Sequence, residues 1–522
     1  MKRIIIALVL ISQSVSLWAS DKSNKDQIVY NTSDESLHQY NCPEWFRDAK
    51  FGIFLHWGVA SHMGVCGWYS KWMYWQDASM AKKIPDWADG TYDYHLKHHG
   101  HPSKVGFKDL CPLWKADRWE PNELVTLFKK AGAKYVVPLA NHHDNFDNWD
   151  SSSQPWNSVN MGPKRDIIGD WGKAIRAQGL YFGVSSHAGR CWKHNQRAYA
   201  SDQEGPMKGV PYDGNLTKED GKGKWWEGYD PADLYCPKLK PGQKSPDTLF
   251  LKKWYLRTTE LYDKYNVDLL YFDGLGYQLG ETYRRVVAEF YNTSMKKNNG
   301  SCEAVVTIKR AKDRKAVVDD FEKGVAKDLR PYPWQTDTPL STWYYSKNNT
   351  DIKKPAYVIV DMLIDIVSKN GNLLLNVAMK GDGSLDENQR QELIKIGKWL
   401  DINGEAIYST RPWKIYGEGP TNAQEGHYKE FTKNDKGYLS EDIRFTTHDK
   451  NLYAIAMDVD EKGDYLIKSL GKSNEYLDGK IKKISLLGYN GKVKWKQTSS
   501  GLRIHTKEVP NSYALAFKIT IE

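Results

Sequence analysis

Short apolar runs that end in a polar, chemically able residue recur along most of the chain. Phe51–Leu55 runs into His56, Tyr135–Leu139 into His142 and His143, and Leu180–Val184 into His187. Leu269–Phe272 runs into Asp273, Ala304–Ile308 into Arg310, and Val317-Val318 leads to Glu322. Trp334–Thr338 is the weakest of the series and Asn372–Val377 closes it. Runs this short and this apolar predict strands buried on both faces. Between them lie helical patterns at Glu123–Ala131, Trp171–Gln178, Leu249–Tyr265, Glu281–Lys297 and Ala356–Ser368. Strand, polar tip and helix in this alternation predict an α/β fold, a (β/α)8 TIM-like barrel, with the chemistry at the C-terminal strand ends.

The pattern changes in three places. Residues 190–247 are rich in Gly, Lys and Pro and predict a long loop over the barrel mouth, whose Trp225-Trp226 pair either meets substrate or pins the loop. After a helix at Glu387–Leu400, alternating segments predict a C-terminal antiparallel β-sandwich over 416–522. They are Leu452–Met457, Tyr465–Ser469, Ile481–Leu487 and Ala514–Ile521. At the other end, Lys2 and Arg3 precede the apolar stretch Ile4–Leu10 and a small-residue exit at Ala19-Ser20. This reads as a cleavable signal peptide over 1–20, too short to span a bilayer, and predicts a secreted or periplasmic protein with a catalytic domain over 21–415.

Composition narrows the class. The 522 residues include 21 Trp and 32 Tyr, whose flat rings with a polar edge suit stacking on sugars or bases as well as core packing. A net charge of +9 is spread along the chain without a basic stripe, which argues against nucleic acid and admits an anionic polymer as substrate. The six cysteines have no C-x-x-C spacing, so a zinc cluster is not expected and no disulfide pairing follows from sequence. There is no P-loop, no G-x-G-x-x-G opening a βαβ unit and no G-x-S-x-G elbow, so nucleotide-cofactor and serine-hydrolase chemistry have no motif behind them.

Two carboxylates stand out. Asp273, in Leu-Leu-Tyr-Phe-Asp-Gly, follows a buried strand and precedes a glycine that lets the chain turn away, which suits a nucleophile or base. A turn or cap aspartate is the plainer reading of the same motif. Glu322 lies beyond another short strand, with Asp319 and Asp320 competing for its role. Carboxylates on two barrel strands are what a glycosidase needs, and their separation decides between retention and inversion. The adjacent His142 and His143 are expected on opposite faces of a strand, which disfavours a shared metal ion. With His56 and His187 they place several imidazoles at strand ends, able to hydrogen-bond hydroxyls in either direction.

Several segments in order resemble glycoside hydrolase family 29, the α-L-fucosidase family. They are Trp45–Gly58 (WFRDAKFGIFLHWG), Asn141–Ser152 (NHHDNFDNWDSS), Gly162–Asp166, Leu269–Gly274, Ser368–Val377 and Ile396–Trp413. The resemblance implies a barrel with a C-terminal β-sandwich, hydrolysis through a covalent glycosyl-aspartate, and no metal or other cofactor. It implies Asp273 as nucleophile and Glu322 as acid/base. His56, Trp68, His142 and His143 match positions that hold the sugar, His187 sits where the family carries a Tyr-Tyr-Ser segment, Arg310 resembles an arginine after the next strand, and Trp343 an aromatic near the sugar methyl. The chain departs from the family at Gly67, where many members carry an acidic residue, at Gln335, where many carry Glu, and at Ser185-Ser186-His187. The expectation is an exported retaining exo-glycosidase that removes terminal α-L-fucosyl residues from a glycan, without nucleic-acid partner or membrane span, with homo-oligomerisation left open. An α-L-galactosidase acting on sulfated algal galactan is the sibling alternative, and a non-catalytic carbohydrate-binding protein the alternative of another class.

Overall fold

The computed structural model describes residues 29–76, 84–274, 276–421, 424–430, 437–507, 509–510 and 513–522. The predicted signal segment 1–20 lies outside the described residues. Eight parallel strands close into one barrel in chain order: β1 (Phe51–Leu55), β2 (Tyr135–Asn141), β3 (Tyr181–Ser186), β4 (Leu269–Phe272), β5 (Val305–Lys309), β6 (Val318–Glu322), β7 (Trp334–Pro339) and β8 (Gly371–Asn376). Each predicted strand is present, the weak seventh included. Thr336, Asp337 and Thr338 make β7 look polar in sequence, yet all of Trp334–Pro339 is buried. Helices predicted at Glu281–Lys297 and Ala356–Ser368 have those bounds, and the one before β4 spans Thr248–Tyr265.

The lumen is filled by side chains two residues apart. Phe54, Tyr135, Val137, Leu269, Tyr271, Val305, Val318 and Leu374 form one buried cluster there, a packed core beneath the mouth. Gly52 leaves room for it, because a Cβ at that position would lie 2.4 Å from the Tyr135 ring.

The segment between β3 and the following long helix is built of short helical turns. Trp226 is buried there and Trp225 donates its indole N–H to Asp109 Oδ1 at 2.9 Å, so this pair pins the segment and neither ring enters the strand-end cluster. The C-terminal part holds two antiparallel sheets, ordered β13-β16-β11-β10-β9 and β12-β15-β14. These strands are β9 (Arg411–Glu418), β10 (Ile443–His448), β11 (Asn451–Ala456), β12 (Asp464–Ile467), β13 (Ile481–Leu486), β14 (Lys494–Thr498), β15 (Gly501–His505) and β16 (Leu515–Ile521). Phe445, Leu452, Ile467, Leu502, Ile504 and Phe517 join both sheets in a single core, which makes the pair a sandwich. Its first strand starts at Arg411, five residues before the boundary read from composition. All six cysteines are free thiols. No helix among the described residues is long and apolar enough to cross a membrane.

Candidate active site

Strand alternation places the chemistry. Val305 and Thr307 share a face with Lys309, Val318 and Asp320 with Glu322, and Leu269 and Tyr271 lead to Asp273 one residue past β4. Each lumen ladder therefore ends in a charged residue at the mouth. Gly274, with φ of 60°, turns the chain away immediately after Asp273.

Lys309 is the centre of the cluster. Its Nζ lies 2.8 Å from Asp273 Oδ1, 3.4 Å from Glu322 Oε2 and 3.4 Å from Asp337 Oδ2. The other Asp273 oxygen, Oδ2, faces His143 Nε2 at 3.2 Å and His187 Nδ1 at 3.3 Å. Burial by itself raises the Asp273 carboxyl, but the Lys309 ammonium and the two imidazoles outweigh it and hold the group well below the usual carboxylate range. Burial likewise opposes the charge on Lys309, and Asp273, Asp337 and Glu322 together keep it protonated far above the usual range. One layer down, Asp320 Oδ2 accepts from Gln335 Nε2 at 2.7 Å and Asp337 Oδ2 from Tyr271 OH at 2.8 Å. Burial first, and each other's charge second, push Asp320 up; burial also raises Asp337, against the pull of Lys309.

The imidazoles form the wall. His56 donates through Nδ1 to Asn376 Oδ1 at 2.8 Å, which leaves Nε2 as the acceptor of the neutral ring. Its ring lies 5.1 Å from that of His187 and 5.9 Å from that of His142. Burial, reinforced by the neighbouring rings, pushes His56 and His142 well below the ordinary imidazole value. His187 falls to about 4 from burial, with Asp273 pulling the other way. Its Nδ1 is close to Asp273 but poorly aligned for a hydrogen bond, and Nε2 has no partner among the described residues. His143 Nδ1 donates to the His187 carbonyl at 2.8 Å.

His142 and His143 both border this pocket, because β2 ends at Asn141 and strand alternation no longer separates them; their rings are 4.4 Å apart. Trp68 stands edge-on to His143 at 5.5 Å, and Trp343 lies 5.0 Å from His56 with the Lys309 ammonium 5.1 Å from its ring. Eight of the nine residues singled out from sequence thus converge: His56, Trp68, His142, His143, His187, Asp273, Glu322 and Trp343. Arg310 does not; it is exposed, in a left-handed turn with φ of 59°, and the buried cation is its neighbour Lys309. Counting by twos from Val305 reaches Lys309, a signal the sequence carries. Trp57, also beside the first strand, is buried against Trp114 and Trp119, away from the mouth. Asp319 is turned outward to Arg314, at 2.9 Å.

Sequence reasoning also missed Tyr344. A Cβ at Gly67 would lie 2.6 Å from the Tyr344 ring, so that ring fills the room an acidic side chain would need. The Tyr344 ring lies 5.2 Å from His142 and 5.6 Å from His56. In this pocket two triads have ligand atoms within 4.8 Å of one another, His56–His142–His187 and His143–His187–Asp273. In the second, Lys309 already compensates the carboxylate charge that would attract a divalent ion.

A barrel mouth with one carboxylate held ionised, a second carboxylate sharing its lysine, and a wall of imidazoles and indoles around them defines a glycoside hydrolase. The alpha-L-fucosidase family model matches residues 17–405 and the alpha-L-fucosidase C-terminal domain model residues 434–520. The chain belongs to the α-L-fucosidase family. The tissue alpha-L-fucosidase of Bos taurus is 28% identical, covering 99% of this chain and 97% of its own length. The Homo sapiens tissue enzyme is 27% identical over 94% of this chain and 92% of its own. The alpha-fucosidase of Thermotoga maritima, solved in complex with fucose, superposes with a TM-score of 0.68 at 27% identity, covering 94% of this chain and all of that one.

Proposed function

We propose that the protein is an exported, retaining exo-α-L-fucosidase. The observation that carries this is Lys309. Because Asp273 Oδ1 and Glu322 Oε2 both contact its Nζ, at 2.8 and 3.4 Å, those oxygens are at most about 6 Å apart. Retaining glycosidases hold their carboxyls about 5–5.5 Å apart, and inverting ones leave about 6.5–9.5 Å for a water molecule. In this reading Asp273 attacks the anomeric carbon while Glu322 protonates the departing glycosidic oxygen. Glu322 then takes a proton from the water that displaces Asp273, and configuration is retained over the two steps. Lys309, His143 and His187 keep Asp273 anionic until it attacks. His56 and His142 are neutral and accept from or donate to sugar hydroxyls, and Trp68 and Trp343 supply flat apolar walls.

One observation favours a second reading. The buried, unpartnered Nε2 of His187 is a place for one more hydroxyl, which L-galactose carries at C6 and L-fucose lacks. The net charge of +9 suits an anionic glycan in either case.

The test is a side-by-side assay on aryl α-L-fucoside and aryl α-L-galactoside, with NMR of the first anomer released. The fucoside is cleaved faster and gives the α-anomer, and Asp273→Asn loses at least about 10⁴-fold in kcat. The β-anomer as first product, or near-native turnover by Asp273→Asn, defeats the mechanism. Faster cleavage of the galactoside selects the second reading.

A further inference from the structure

Glu322 is held by a piece of chain that belongs to the other domain. Residues 424–430, within the connection from β9 to β10 of the sandwich, lie along the end of β6 at the barrel mouth. Gly426 and Val325 exchange backbone hydrogen bonds at 3.1 and 3.3 Å, Tyr428 N–H donates to the Glu322 carbonyl at 3.0 Å, and Lys429 N–H to the Lys323 carbonyl at 3.0 Å. In return Glu322 N–H donates to His427 Nδ1 at 3.0 Å. Gly324 makes the approach possible, since a Cβ there would lie 2.8 Å from the Gly426 carbonyl oxygen. Glu430 anchors the far end on Lys354 at 2.8 Å.

The side chain that this strap delivers is Tyr428. Its hydroxyl donates to Glu322 Oε2 at 2.6 Å. The same oxygen is the one nearest Lys309, so the hydroxyl and the ammonium both face Oε2 and Oε1 has no partner among the described residues. A carboxylic acid that accepts at one oxygen carries its proton on the other, which leaves Oε1 to serve the glycosidic oxygen. Tyr428 is 57% exposed although its hydroxyl is engaged, so its ring lies open beside the acid. Its φ of 59° is a backbone conformation costly for an aromatic residue, and Lys323, next to Glu322, has φ of 47°. Such strain persists where surrounding contacts hold it, and it concentrates at functional sites.

We propose that the strap 424–430 builds the leaving-group subsite. Tyr428 orients Glu322 through Oε2 and presents its ring to the sugar that departs, a pyranose able to stack a C–H face on it. This rests on the assignment of Glu322 as acid/base under Proposed function.

The test compares the wild type with Tyr428→Phe and Tyr428→Ala on two substrates, an aryl α-L-fucoside with a highly acidic phenol and a fucosyl disaccharide. Phe keeps the ring and removes the hydroxyl. It lowers kcat on the disaccharide about tenfold, lowers it less on the activated aryl glycoside, and leaves KM within about twofold. Ala in addition raises KM for the disaccharide about tenfold. Thermal melting of all three shows whether the variants are folded. Equal losses on both substrates, or a Phe variant that matches the wild type on the disaccharide, overturn the proposal while the wild type's own turnover keeps the fucosidase reading intact. A wild type that cleaves neither fucosides nor L-galactosides overturns both.

Discussion

Lys309 carries more of the site than either carboxylate does alone. It pairs with Asp273, touches Glu322 and reaches down to Asp337, so it joins the carboxylates at the mouth to the acidic layer beneath them. Replacing it with Met keeps much of the volume and removes the charge. Burial then dominates at Asp273, whose carboxyl rises, and the acid limb of kcat/KM moves to higher pH. In the wild type that limb belongs to the wall: His187 is neutral above about 4 and loses its acceptor as pH falls through that value. Lys309→Met also lowers kcat by about 10²–10³-fold, the scale of one lost electrostatic contact at a reacting centre. A Met variant with an unmoved acid limb removes the lysine from this role.

At the scale of elements, the barrel strands work as ladders whose rungs alternate between lumen and helices. That periodicity was legible wherever rungs are apolar, which is why β1, β4 and β8 are plain in the sequence. It was faint in β7, because Thr336, Asp337 and Thr338 are buried without being hydrophobic; their cost is met by hydrogen bonds that sequence does not show. It misled at β5, where a strand taken to end at Ile308 pointed to Arg310 and passed over Lys309. Asp273 was readable because a glycine follows it; His142 and His143 share a pocket only because the strand has already ended. The neighbouring ladders β6 and β7 pair Asp320 with Gln335, and the amide satisfies one oxygen of that buried carboxyl group. Gln335→Glu, which restores the residue many family members carry, puts a third carboxyl beside Asp320 and Asp337. We expect a loss of about 3 kcal/mol in stability by urea denaturation, steeper at higher pH, and no gain in turnover. A variant as stable as the wild type across pH 5–8 contradicts this account of the layer.

For the whole molecule, barrel and sandwich are joined by charges as well as by apolar packing. Arg444 on β10 donates to Asp365 Oδ1 at 2.7 Å, Lys369 holds Asp365 Oδ2 at 2.7 Å, and all three are buried. Trp399, on the last barrel helix, donates to the Ala514 carbonyl of the sandwich at 2.9 Å. Burial would raise the Asp365 carboxyl, but Lys369 and Arg444 hold it below its ordinary value. Asp365→Ala strands two buried cations and costs about 3–5 kcal/mol, and calorimetry then shows the two halves separating from a single transition into two. An unchanged melting profile would show that the apolar contacts suffice. The charged part of this junction was not legible in the sequence, since Asp365 and Arg444 are each unremarkable until the fold brings them together.

The strap at 424–430 sets an order of events in the life of the chain. The tyrosine that meets Glu322 is attached 106 positions later. A barrel emerging from the ribosome can bring Asp273, Lys309 and the imidazoles together while the tyrosine that meets Glu322 has yet to be made. On the role proposed for Tyr428, the site is complete only once residues 424–430 have been synthesised and have docked along β6.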